Sequence, residues 1–233
     1  MADVWNPLID RARGKLGNVV FSTWKNLKVL RVRVIPHNPK TPKQTAHRNA
    51  FKLTIETMRR RLDILEIGFE PYQKLGKTAL NGGTRYNYGQ ASLGAITANP
   101  IAPYVPIVDT TKFVFSNGPI DNILSPIITN NTIAAFQVSW TDNTNGTTAL
   151  ATDMAILVLL NTTPTVNVLQ RYYDSIAINQ GDVRSAGVMT HALPAIWSGR
   201  TVAVYIFMWR NIVPRVSDVM PSQTLYIGTT SIP

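Results

Sequence analysis

Arg11, Arg13, Lys15, Lys25, Lys28, Arg31, Arg33, Lys40, Lys43, Arg48 and Lys52 fall within 42 consecutive residues that hold no Asp or Glu. The chemistry open to such a set is anion binding, because a cluster of guanidinium and ammonium groups attracts a polyanion or an acidic protein surface. Residues 1–61 carry fourteen basic and three acidic residues, a net of +11, while residues 62–233 carry nine and ten, a net of −1. The formal charge of +10 is thus a property of the first quarter of the chain. Lys52 with Glu56 and Arg59 with Asp63 have the i,i+4 spacing of intrahelical pairs and read as a solvated helix face. The ten cations from Arg11 to Arg48 are the candidate partner-binding residues.

Two kinds of partner suit them. An acidic neighbouring subunit is one; nucleic acid is the other, with Phe21, Trp24 and His37 as groups on which bases could stack. The chain shows no zinc-finger, RNP or basic-zipper pattern.

Catalytic chemistry finds little footing. His37, His47 and His191 are the only histidines and have neither HxH nor HExxH spacing. Asn81-Gly82-Gly83-Thr84 is a glycine pair without the spacing of a phosphate-cradling loop. Asp142, Asp153 and Asp182 read as turn and strand-edge acids. With no cysteine, thiolate nucleophiles, thiolate metal sites and disulfides are excluded. The expectation is a protein that is not an enzyme and needs no metal or other cofactor.

The elements that must position the cations follow from local patterns. Residues 14–35 read as a β-hairpin, opened by Gly14 and Gly17 and turning at Lys25-Asn26. On its return strand Leu30, Val32 and Val34 alternate with Arg31 and Arg33, which predicts one core face and one cationic face. Thr41-Pro42-Lys43-Gln44 then combines an N-cap hydroxyl, a proline at the first helical position and a Gln three residues after the cap. A helix is predicted from there to about Ile67, with Gly68 as a left-handed stop. Its free N-terminal amides beside Lys40 and Lys43 form a natural phosphate or carboxylate site. Lys40 and Lys43 at its start, and Glu66 and Glu70 at its end, run against the helix dipole. A second helix is predicted over 79–97, weakened by Gly82, Gly83, Gly89 and Gly94.

Beyond the proline-rich stretch at 99–106 the periodicity changes from about 3.6 to two. Strands are predicted at 104–108, 112–116, 133–140, 153–160, 165–173, 186–192, 201–210 and 223–227. The expected fold is mainly β with an N-terminal α part: a basic hairpin and long helix in residues 1–100, then an immunoglobulin-like antiparallel β-sandwich over 101–233. Charged residues make up only 15% of the chain, against about 25% in ordinary soluble domains, which favours burial against neighbouring subunits. The longest apolar run, Met154 to Leu160, is too short to cross a membrane as a helix, and no signal peptide is visible. The expectation is a protein made in the cytoplasm, with no membrane partner.

Two sets of residues carry a resemblance. One is Gly14-Lys15-Leu16-Gly17-Asn18-Val19-Val20, Ser22-Thr23-Trp24-Lys25, then Pro39-Lys40-Thr41-Pro42 with Gln44, Arg48 and Phe51. The other is Trp140-Thr141-Asp142-Asn143, Ala151-Thr152-Asp153-Met154-Ala155-Ile156-Leu157-Val158 and Arg184-Ser185-Ala186-Gly187. In this order they resemble an uncharacterised protein family of Bacteroidetes genomes and their phages. The resemblance implies a virion component, whether capsid-associated, neck or tail, working as a homo-oligomer or among other virion subunits. It supplies no catalytic residues. The expected function is that of a structural or assembly protein, located in the virion and docking through its basic N-terminal region. The alternative is a cytoplasmic nucleic-acid-binding protein with a sandwich appended.

Overall fold

Short β-rich runs and tight turns dominate the first forty residues, and the computed structural model resolves them as a small antiparallel sheet. It describes residues 2–3, 14–25, 27–35, 37–73, 76–89, 94–167, 170–211 and 219–233. The strands are β1 (Ala2–Asp3), β2 (Gly14–Leu16), β3 (Val19–Trp24) and β4 (Leu27–Val32), in the spatial order β1-β4-β3-β2. Gly17, at φ 59°, and Asn18 make a two-residue turn between β2 and β3, so the predicted hairpin gains a third strand. Lys25, at φ 46°, begins the turn between β3 and β4, where Trp24 pairs with Leu27. Residues 1–40 form one compact unit and residues 41–233 another. The boundary between these two units falls after Lys40.

In the second unit α1 (Pro42–Arg59) starts at Thr41, whose Oγ1 accepts the Gln44 N–H at 3.3 Å. Thr41→Ala removes that acceptor, and the expected cost is about 1 kcal/mol in chemical unfolding. The helix ends earlier than predicted. Arg61 leaves helical geometry at φ −126°, ψ 39°, and the chain restarts as α2 (Leu62–Gly68). The cause is tertiary: the Arg61 Nε donates to the Ser175 carbonyl at 3.1 Å, and the Arg60 guanidinium lies 3.3 Å over the Tyr172 ring. Arg59 consequently occupies the last turn of α1, which suits the negative end of the dipole; Lys43 at the start remains opposed to it.

Gly68 is not a left-handed stop. It closes α2 at a point where an added Cβ would lie 2.1 Å from the Phe115 carbonyl oxygen. After the single turn α3 (Glu70–Gln73) comes α4 (Ala79–Asn87), capped by Thr78 and shorter than the predicted 79–97. Gly82 and Gly83 lie in its middle because Phe69 and Leu65 press there; a Cβ on Gly82 would meet the Phe69 ring at 2.8 Å. Close helix packing outweighs the propensity cost of about 1 kcal/mol per glycine.

The remaining strands are β5 (Tyr88–Gly89), β6 (Ile96–Thr97), β7 (Ile107–Val108), β8 (Leu124–Asn131), β9 (Phe136–Thr141), β10 (Met154–Asn161), β11 (Thr165–Asn167), β12 (Gln170–Tyr172), β13 (Ser175–Ile178), β14 (Val188–His191), β15 (Thr201–Asn211), β16 (Val219–Pro221) and β17 (Leu225–Ser231). The largest sheet runs β13-β10-β15, with β16 and β17 sharing the far edge of β15. A second sheet runs β14-β9-β8.

Alternation along β10 and β15 assigns the layers. Ile156, Val158, Leu160, Ala203, Tyr205 and Phe207 pack with Ala50, Leu53, Leu65 and Phe69 of the helices. Ala155, Leu157, Leu159, Val202, Val204 and Ile206 pack with Phe136, Val138 and Met189 of the second sheet. Helices, central sheet and outer sheet thus form three layers, and the central strands are buried on both faces. The fold is mainly β, with an N-terminal strand hairpin followed by helices and several sheets. Residues 112–116, predicted as a strand, form none: Lys112 closes a 3-10 turn over Thr110–Lys112, set by Asp109 Oδ1 accepting the Thr111 N–H at 3.0 Å. No helix among the described residues is long and apolar enough to cross a membrane.

Candidate functional site

Register decides which cations of the first unit share a face. Lys15 stands opposite Val20, and Val20 opposite Arg31, so Lys15 and Arg31 lie in one row across three strands. Arg33, two residues beyond Arg31 along the chain, shares that face, and its N–H still reaches the Asn18 carbonyl at 2.8 Å. Lys28, opposite Thr23, belongs to the other face. That other face also carries Leu16, Val19, Phe21, Leu30 and Val32. It is not the core face predicted, since Leu16 is 71% and Val32 74% exposed, and Val34 and Ile35 beyond them are equally open. Among the described hairpin side chains the buried one is Val29, on the face of Arg31.

The predicted binding residues fall into two groups. Lys15, Lys25, Lys28, Arg31, Arg33 and Lys40 belong to the first unit, whereas Lys43 and Arg48 lie on α1 in the second. Arg11 and Arg13 lie outside the described residues, as does the Trp24 side chain. Lys25, Lys28, Lys40 and Arg48 each have a partner of their own. Lys15, Arg31 and Arg33 make no ion pair among the described residues. Thr41 and Gln44 form the cap, and Pro42 opens the helix; the cap uses one of the amides that a bound anion would need.

A second constellation escaped the sequence reading. Asp153, expected at a strand edge, is fully buried between two guanidinium groups. Its Oδ2 accepts from Arg184 at 3.2 Å and from Arg210 at 3.0 Å, and its Oδ1 accepts from the Arg210 Nε at 2.6 Å. The Leu150 N–H adds a further bond at 2.8 Å. Arg184, also fully buried, reaches the Asn143 Oδ1 at 2.6 Å and the Asp121 carbonyl at 2.6 Å, and its own carbonyl accepts the Trp140 indole N–H at 2.9 Å. Trp140, Asn143, Asp153 and Arg184 all come from the second set of resembling blocks, which was the available signal. With both oxygens occupied, Asp153 cannot work as a general base; it ties Arg184 and the turn at Leu150 to Arg210 of the central sheet. Neighbouring Asp142 is exposed, and its carboxyl is held below its usual range chiefly by the Thr144 hydroxyl, then by the Thr144 N–H and the Arg184 charge.

The histidines do not converge. His191 Nε2 contacts Asp182 in a close pair, His47 meets the Tyr88 hydroxyl at 2.8 Å, and His37 is exposed. No hydroxyl nucleophile hydrogen-bonds His191, and no group of three His, Asp or Glu could hold a metal, among the described residues. Tyr72 donates to the Tyr86 hydroxyl at 2.6 Å and Asn117 donates to it at 2.8 Å. Burial, then the Tyr72 bond, raises the Tyr86 phenol above its ordinary value and keeps it a neutral structural group. A shallow cavity of about 450 Å³ lies between α1 and α4, lined by Phe51, Ile55, Leu80 and Tyr88 with Asn81, Thr84 and Arg85.

No curated protein and no solved structure matches the chain. A family model matches residues 11–219, which takes in β2 to β4, all four helices and the buried ionic cluster. The chain belongs to that family, DUF6266, a family of unknown function.

Proposed function

We propose that the protein is a non-enzymatic assembly component of a phage-like particle, capsid-associated or part of a neck or tail, that docks through its N-terminal unit. The observation that carries the reading is the first sheet itself. Its cationic face of Lys15, Arg31 and Arg33 has no internal counter-charge among the described residues, and its opposite face leaves Leu16 and Val32 in water. A forty-residue segment with eight basic and two acidic residues, a net of +6, has more to gain from an acidic partner surface than from solvent. The phage-like setting rests on the resemblance of the two sets of sequence blocks. For the body we propose an immunoglobulin-like sandwich carrying helices on one face, supported by the packing of two antiparallel sheets through Phe136, Val138, Leu157 and Leu159. Mass spectrometry of gradient-purified particles from cells carrying the gene tests the reading: the protein should be present in stoichiometric amount, and its absence from particles would refute it.

The second reading, a nucleic-acid-binding protein, is favoured by the same local charge. It predicts affinity for generic duplex DNA that falls steeply with salt, and a salt slope that shrinks in the Arg31→Ala/Arg33→Ala variant. Weak DNA binding that these substitutions leave unchanged would set it aside.

A further inference from the structure

The segment Arg31-Val32-Arg33-Val34-Ile35 is made of β-branched residues and arginines, yet β4 ends at Val32. On its inner side it is held by β3, with Val32 opposite Val19 and the Arg33 N–H on the Asn18 carbonyl. On its outer side, among the described residues, β1 pairs with Val29 and Leu30 alone. Because alternate residues of an extended chain aim their N–H and C=O groups to the same side, those of Val32 and Val34 face outward. Among the described residues the Val34 N–H has no backbone partner. Open edges of this kind are templates for another strand.

We propose that residues 31–35 are a strand-addition site for an extended segment of a partner protein in which acidic and apolar residues alternate. This rests on the docking role above and names its chemistry. An incoming strand would place one set of alternate side chains over Arg31 and Arg33, and the other over Val32 and Val34. The first set is matched by carboxylates and the second by aliphatic groups. A second copy of the same edge is a poor occupant, because antiparallel self-pairing would set arginines against arginines. A duplex has no backbone amide ladder to offer.

The test uses the full chain and three labelled peptides read by fluorescence anisotropy. One is an acetylated, amidated Thr-Glu-Val-Glu-Val-Glu-Thr; the second has the glutamates replaced by lysine; the third has the central Glu replaced by proline. The glutamate peptide should bind, with slowed hydrogen exchange at Val32 and Val34, and the lysine and proline forms should bind at least about tenfold more weakly. Val34→Pro in the chain removes an N–H that has no backbone partner among the described residues, so it should weaken binding similarly while leaving the thermal midpoint unchanged. Equal binding of the proline peptide would overturn strand addition, as would stronger capture of a DNA duplex or dimerisation of the chain through this edge. If the peptide fails while particle incorporation still depends on Arg31 and Arg33, the edge is refuted and the docking role stands. If the peptide binds and particles lack the protein, the particle reading fails alone.

Discussion

Asp153→Ala is expected to destabilise the Thr41–Pro233 unit by about 3–5 kcal/mol, because it strips the counter-ion from a buried cation and leaves it uncompensated. Arg184 cannot reach water from its site, and its remaining acceptors, the Asn143 Oδ1 and backbone carbonyls of residues 121 and 122, carry no formal charge. The Leu150 N–H loses its acceptor in the same step. Urea unfolding should therefore show a large drop in midpoint with one transition. Asp63→Ala is the control: Asp63 meets Arg61 at 3.5 Å with most of its side chain in water, and pairs of that kind are worth at most about 1 kcal/mol. Equal effects of the two substitutions would mean that the buried cluster is not what holds the loops around Trp140, Asp153 and Arg184 together.

Gly68→Ala is expected to cost at or beyond the upper end of the ~1–3 kcal/mol typical of overpacking. The new methyl would overlap the Phe115 carbonyl and press on the Ser116 Cα at 2.8 Å, and neither backbone atom can rotate away. The approach is fixed from the other side as well, since the Asn117 N–H donates to the Gly68 carbonyl at 2.9 Å. By helix propensity alone alanine would be the better residue by about 1 kcal/mol. The sign of the change in midpoint therefore decides between local preference and close approach.

What could be read from the sequence was what neighbouring residues decide. Phe136, Val138 and Trp140 alternate with Gln137, Ser139 and Thr141 because the outer sheet keeps one wet face, and β9 was legible for that reason. The uninterrupted apolar run in β10 was legible as a strand, and its lack of alternation is the mark of burial on both faces. The Thr41 cap is a four-residue pattern and appears where it was expected. β8 was missed because Pro126, Asn130 and Asn131 disguise it as loop; as the edge of its sheet it tolerates a proline that a central strand would not. The break after Arg59 was hidden because its cause, the bond from Arg61 to Ser175, spans 114 residues. The ionic cluster was hidden likewise, as Asp153 and Arg184 are 31 residues apart and nothing local marks either as buried. The cationic row was visible as composition, but its register was not: only the pairing of Val20 with both Lys15 and Arg31 sets those two charges in line.

Incorporation of an Arg31→Ser/Arg33→Ser chain into particles, in cells lacking the wild-type gene, tests docking through the N-terminal unit most directly. Both side chains are exposed and make no ion pair among the described residues, so the variant should melt at the wild-type temperature. The predicted result is a folded protein left in the soluble fraction, with the wild-type chain sedimenting with particles at fixed stoichiometry. A variant that sediments at the wild-type ratio would contradict docking through this row of charge.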